Sequence, residues 1–289
     1  MPLVVHLDST TSPVFIAIGL FTLLAAIFYL RGCHKLRLDP DTCIPVSRIA
    51  SFLTGLTLLC LATISPLAAL DHHFLTAHMA KHLLLMTIAP ALILLGDPLR
   101  SLLHAIPETS WRGTLVPAFS WSPIQRLGKF FSNPALCWFA ATTALIVWHI
   151  PTIFSRALQS PALHVFEQIT FVSAGFLFWW PVIQPWPASV SRSRWPILLY
   201  LFLATLPCDI LSAYLTFCDR VVYPLYVAMP QASSFSALRD QELAGALMWA
   251  SITLLYLIPA AVLTVRLLER PTLENQRPSP VLDGHAIKS

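Results

Sequence analysis

The sequence predicts an all-α membrane protein: a polytopic bundle of seven transmembrane helices, with the N-terminus outside and the C-terminus in the cytoplasm. Composition is the first observation behind that prediction. Of 289 residues, 56% are hydrophobic and only 11% are charged, whereas a soluble domain of average composition carries about 25% charged residues. So little charge cannot coat a water-facing surface of this size, which argues against a soluble enzyme, a nucleic-acid-binding domain and a disordered linker. The second observation is that the apolar residues fall into seven stretches close to the ~20 residues a helix needs to cross the hydrocarbon core. None alternates as a membrane β-strand would, so helices are left to satisfy the backbone in lipid.

In chain order the stretches lie at about 13–30, 48–70, 74–96, 134–150, 162–183, 195–217 and 242–266. Residues 1–12 precede them as an outer segment, 13–266 form the transmembrane domain, and 267–289 read as a flexible cytoplasmic tail with Pro271, Pro278 and Pro280. The first stretch reads as a span and not as a cleaved signal, since no Lys or Arg precedes it and no small-x-small site follows. Arg31, Lys35, Arg37 and Arg48 flank the first link, and Arg100, Arg112, Arg126 and Lys129 lie in the third. Arg192 and Arg194 follow the fifth span, and Arg266, Arg270, Arg277 and Lys288 close the chain. The alternate links hold only Arg156, Arg220 and Arg239, with Lys81 inside the third span. This asymmetry places the basic links in the cytoplasm. The long link 97–133, with Trp111, Trp121, Pro107, Pro117 and Pro123, predicts short helices lying along the interface. No internal repeat marks an inverted-repeat transporter.

Histidine played no part in that topology, so its placement is independent information. Of the ten histidines, His72, His73, His78, His82, His149 and His164 fall in or near the outer third of the membrane. None lies in the cytoplasmic half of a span. His78 and His82 are four residues apart and share a helix face, which Met86 continues one turn inward. Imidazole binds zinc, copper and nickel, and a thioether adds preference for copper(I). His149 and His164 flank one short outer link and sit at the depth needed to complete such a site. Glu167, one turn inside His164, would orient an imidazole or bind the ion itself. The alternative for each is a helix-to-helix hydrogen bond. His72 and His73 stand in the wet link, suited equally to solvation or to ion capture.

Later segments add polar groups at similar depth. Asp209 lies roughly 12 Å below the outer end of the sixth span by helical rise. A carboxylate there needs a partner, and Lys81 is the expected one. On the seventh span Gln241, Gly245 and Met248 share a face, the glycine permitting close helix approach. Asp240 would either join a ligand set or cap a helix N-terminus. Among the six cysteines, Cys33 and Cys43 flank the first cytoplasmic link without matching a zinc pattern, and the remainder are isolated.

At these positions the sequence resembles the CtaG-like cytochrome c oxidase assembly proteins, the seven-span bacterial family. The resemblance rests on the string from His78 to Leu85, on Ala89 to Pro98, and on Trp148-His149-Ile150-Pro151. His164-x-x-Glu167, Phe178-Trp179-Trp180-Pro181, Tyr223-Pro224-Leu225-Tyr226 and Asp240-Gln241-x-x-x-Gly245-x-x-Met248-Trp249 complete it. It covers about residues 15–265. By motif position His78, Met79, His82, His149, His164, Asp240, Gln241 and Met248 carry over. Lys81 is a departure, because an uncharged polar residue is expected there.

The resemblance implies a factor in the bacterial plasma membrane that matures a haem–copper oxidase. Copper would be the cofactor handled, the oxidase subunit carrying the copper centre the partner, and a periplasmic copper donor a second one. The expected metal site is His78, His82, His149, His164 and Met248, supported by Met79, Met86, Glu167, Asp209, Asp240, Gln241, Lys81, His72 and His73. No catalytic residue is expected. Two alternatives follow from the same histidines: an intramembrane zinc-dependent hydrolase with an activated water, and a b-type haem protein with two axial imidazoles from different helices.

Overall fold

The computed structural model describes residues 12–38, 44–64, 70–106, 122–183, 195–228 and 236–275. These form helices α1 (Ser12–Arg37), α2 (Val46–Ile64) and α3, which runs Leu75–Leu95. After them come α4 (Pro98–Ala105), α5 (Ser122–Phe131), α6 (Pro134–Trp148), α7 (Pro151–Gln159) and α8 (Pro161–Ile183). The last are α9 (Trp195–Phe217), α10 (Leu225–Ala228) and α11 (Ala237–Asn275). No strand occurs among the described residues. The fold is a helical membrane bundle, with large apolar side chains such as Phe21 on α1, Ile210 on α9 and Leu254 on α11 facing outward at 60–72% exposure. In water such a surface would aggregate; in lipid it is solvated.

Among the described residues six helices are long and apolar enough to cross a membrane, and the count is seven with the bent pair α6–α7 taken as one span. The departure from the sequence reading lies in that pair. α6 has only 15 residues, and α7 continues at 75° to it. Pro151 explains the break. It disfavours helical geometry in the residue before it, and Ile150 is extended at φ −66° and ψ 123°. Pro151 then starts α7, where its missing N–H costs nothing. α11 also differs from expectation, running on to Asn275; residues 276–289, like 1–11 and 107–121, lie outside the described residues.

α3 is the central helix, 61% buried over its apolar window against 22–39% for the other long helices. Its middle, Leu84–Ile88, widens to a π-helical turn, a feature enriched at functional sites. There the Met86 carbonyl meets α8 at Gly175, where a side chain would collide with that carbonyl and stand 2.8 Å from Pro90 Cγ. Gly175→Val is therefore expected to lower the thermal midpoint and the folded yield in detergent, read by fluorescence-detected gel filtration. On the far side, Gly32 of α1 lies against the Ser101 backbone of α4, and Tyr29 donates to the Gly96 carbonyl at 2.8 Å. Those contacts tie α1, α2 and α4 into a second apolar cluster with Phe52, Leu56 and Ile93.

Candidate metal centre

The site starts with how α3 begins. Phe74, at its N-cap, supplies no side-chain cap. Asp240 of α11 supplies it from a distance: Oδ2 accepts from Leu75 N at 2.6 Å, and Oδ1 accepts from Thr76 N at 3.2 Å and Thr76 Oγ1 at 2.6 Å. A carboxylate there answers orphan N–H groups and the positive end of the helix dipole. Asp240 therefore caps a helix, as one sequence reading allowed, but the helix is α3 and not its own. Asp240→Ala is expected to lower stability by about 1 kcal/mol, with Asp240→Asn retaining part, as checked by thermal melts. Gln241 is fully engaged too, accepting from Val222 N at 2.7 Å and donating to Leu215 and Arg220 carbonyls at 3.2 and 3.1 Å. Gly245 lets α11 close on α9, where its missing side chain would stand 2.8 Å from the Ser212 carbonyl.

With its start fixed, α3 delivers His78 and His82 to one face. Their Nε2 atoms converge to 2.6 Å. From α8, Glu167 brings Oε1 to 3.8 Å from His78 Nε2 and 3.5 Å from His82 Nε2. All three residues are buried, His78 and Glu167 completely. Phe154 of α7 packs on the His78 ring at 4.8 Å between centroids, and Phe171 of α8 on His82 at 4.2 Å. Both Glu167 oxygens and the Nδ1 atoms of both histidines lack a hydrogen-bond partner among the described residues. A buried carboxylate left so is costly, and a cation at the convergent atoms would answer that cost. Among the described residues, His78, His82 and Glu167 are one of two groups whose ligand atoms lie mutually within 4.8 Å.

His149 joins from the broken end of α6. It occupies the helix C-cap, where its ring Nδ1 donates to the Leu145 carbonyl at 2.7 Å while its backbone N–H bonds to Ile146. That bond turns Nε2 inward, 3.3 Å from Met79 Sδ. The His149 ring centre is 6.2 Å from that of His82, so an imidazole–thioether pair adjoins the first group. Tyr223 donates to the His149 carbonyl at 3.0 Å, and Trp148 Nε1 to Thr170 Oγ1 at 2.8 Å, fastening this corner to α8 and to the segment that leads into α10.

His164 does not join this group. It belongs to a second one with Asp71 and His72. Lys81 Nζ donates to Asp71 Oδ2 at 2.6 Å and lies 3.1 Å from His164 Nε2, which is 3.3 Å from the same oxygen. Asp71 Oδ1 is 3.6 Å from His72 Nε2. Burial pushes the Asp71 carboxyl up, but contact with His164 and the Lys81 charge outweigh it and hold the group well below the usual carboxylate range. The expected Asp209–Lys81 pair is thus replaced by Asp71–Lys81. A side chain in a helix leans toward the N-terminus, so Lys81 reaches back to the turn before α3. Asp209 keeps Oδ1 without a partner among the described residues.

The remaining candidates stand apart. Met248 packs in the large apolar cluster that also holds Met79, and no hydrogen bond or ring contact among the described residues joins it to the imidazoles. Met86 is half-buried against the same cluster, and His73 is exposed on the turn. Cys33 is buried against Ser101, and Cys43 lies outside the described residues. Sequence reasoning missed Asp71 as the lysine's partner, although it opens the segment that holds Lys81. It also gave no role to Tyr226, whose hydroxyl donates to the Asp71 carbonyl at 2.7 Å.

A family model described as cytochrome c oxidase caa3 assembly factor matches residues 27–270. Uncharacterized proteins of Mycobacterium bovis and Mycobacterium tuberculosis are each 27% identical over 276 residues, and one of Mycobacterium leprae is 25% identical over 277. Each alignment covers 93% of this chain but only 40% of the relative, so the chain spans well under half the length of the curated proteins it matches. No solved structure matches it significantly.

Proposed function

The chain belongs to the cytochrome c oxidase caa3 assembly factor family, and from that premise we propose that it holds copper transiently at His78, His82 and Glu167 and passes it to the oxidase subunit that houses the copper centre. It would act in the bacterial plasma membrane, receiving the ion from the outer side. The observation that supports copper handling is the convergence of two imidazoles and a carboxylate, buried, from α3 and α8, with both carboxylate oxygens unpartnered among the described residues. Three donors leave coordination open, and His149 with Met79 offers a neighbouring imidazole and a softer sulfur. An ion in such surroundings can leave, as a carrier requires. A closed four-ligand cage would retain it.

Each protein group has a distinct part. Phe154 and Phe171 keep water from the imidazoles, Asp240 fixes the start of the helix that carries them, and Tyr223 fixes His149. The test is the copper content of the purified protein, and of the oxidase, in a strain carrying His78→Ala with His82→Ala. Both are expected to fall. Unchanged copper in both would overturn the metal part of the proposal and leave an assembly role without metal.

The ligand set itself favours a second reading. Two histidines and a glutamate also make a hydrolytic zinc site. With Glu167 as ligand, however, that reading needs another carboxylate as base, and Asp71 is held by Lys81. Stoichiometric zinc together with lipid-amide hydrolysis would favour it. A b-type haem would take its two axial imidazoles from different helices, and a Soret band in the purified protein would favour it.

A further inference from the structure

We propose that Asp71, His72 and His164 form a second, outer site for a divalent metal ion, and that the Lys81 ammonium sits in it as a built-in cation that an incoming ion must displace. Three observations support this. Ligand atoms of the three residues lie within 4.8 Å of one another, as do those of the inner group. Asp71 is completely buried, and its Oδ1 has no hydrogen-bond partner among the described residues. A cation already stands at the meeting point, with Lys81 Nζ 2.6 Å from Asp71 Oδ2 and 3.1 Å from His164 Nε2.

The two sites are separate but adjacent. His164 and His78 have ring centres 6.1 Å apart, while Asp71 and Glu167 answer different partners. The outer site is the more accessible, since the His72 side chain is 42% exposed, whereas His78 and Glu167 are sealed. Its donors are two imidazole nitrogens and a carboxylate oxygen with no sulfur, a set that suits zinc(II) or copper(II) over copper(I). Lys81 and a metal ion compete for the same oxygen, because two cations so close repel in a low-dielectric setting. The lysine therefore keeps the site closed at low metal concentration while sparing Asp71 an uncompensated buried charge.

The experiment is zinc titration of the full-length protein in detergent, by chelator competition and thermal melting, across wild type, Lys81→Met, Lys81→Gln and Lys81→Arg. Each is also prepared with His78→Ala and His82→Ala to silence the inner site. Neutralising Lys81 is expected to add a zinc per chain, bound about tenfold or more tighter than any outer-site zinc in wild type, and to make the melting temperature rise with zinc by mass action. Lys81→Gln replaces Lys81→Met where the apolar variant does not fold. Lys81→Arg is expected to keep the site closed, and His164→Ala to abolish the added zinc. A neutral variant that folds yet gains no zinc would overturn the proposal, as would Lys81→Arg gaining as much as Lys81→Met. Because the added zinc is read in the inner-site double alanine, a failed inner site does not alter the outcome, and a failed outer site leaves the copper reading untouched.

Discussion

Asp71→Ala is expected to destabilise the protein by about 3–5 kcal/mol, the usual consequence of removing one partner from a buried ion pair. The size follows from what is left behind. Lys81 is 5% exposed and its ammonium would lose the 2.6 Å bond to Asp71, while His164 would lose a neighbour at 3.3 Å. Truncating both partners, as Asp71→Ala with Lys81→Met, is expected to recover much of the loss, since no orphan charge remains. Denaturation of the four proteins in detergent completes that cycle. A pH dependence accompanies it. The folded carboxyl is held below its ordinary value of 3.8, so its contribution is complete above that value and is lost as the pH falls further into the acid range. An Asp71→Ala protein as stable as wild type would show that the pair does not anchor the outer end of α3.

Glu167→Gln is expected to separate stability from metal binding. In the metal-free protein this carboxylate is buried without hydrogen-bond partners among the described residues, and a neutral isostere removes the cost of a charge there. The variant is expected to melt at or above the wild-type temperature without metal. Copper affinity is expected to fall about 100-fold, because the anionic donor facing both imidazoles at 3.5 and 3.8 Å is lost. Gains in stability that cost function mark residues kept for their chemistry. A carboxylate that merely braces α3 against α8 would behave oppositely, with lower stability and unchanged copper binding.

Much of this was legible in the sequence because the physics involved is local or compositional. Hydrophobic run lengths give the spans, and the four-residue spacing of His78 and His82 gives their common face. The reach between helices was not legible. Depth alone pairs Lys81 with Asp209, but depth does not say which way a helix is turned. The actual partner precedes α3 and is met by a side chain leaning back toward the N-terminus. His164 and Glu167 were read as one face of α8, which they are, yet each meets a different ligand group across the helix boundary. The bend after His149, a 75° turn, follows from Pro151 and is visible in the sequence; the bond from His149 Nδ1 to the Leu145 carbonyl that aims the ring at Met79 is not. The π-helical turn at Leu84–Ile88 has no comparable signal in the sequence.

The proposed copper carrier requires that side chains from separate transmembrane helices meet at a single ion. X-ray absorption spectroscopy of the copper-loaded full-length protein tests it most directly. A first shell of nitrogen and oxygen at about 2.0 Å is expected, with the outer-shell scattering of two imidazoles; His82→Ala is expected to halve that scattering and Glu167→Gln to remove the carboxylate oxygen from the first shell. A copper shell without imidazole scattering, or one indifferent to both substitutions, would contradict it.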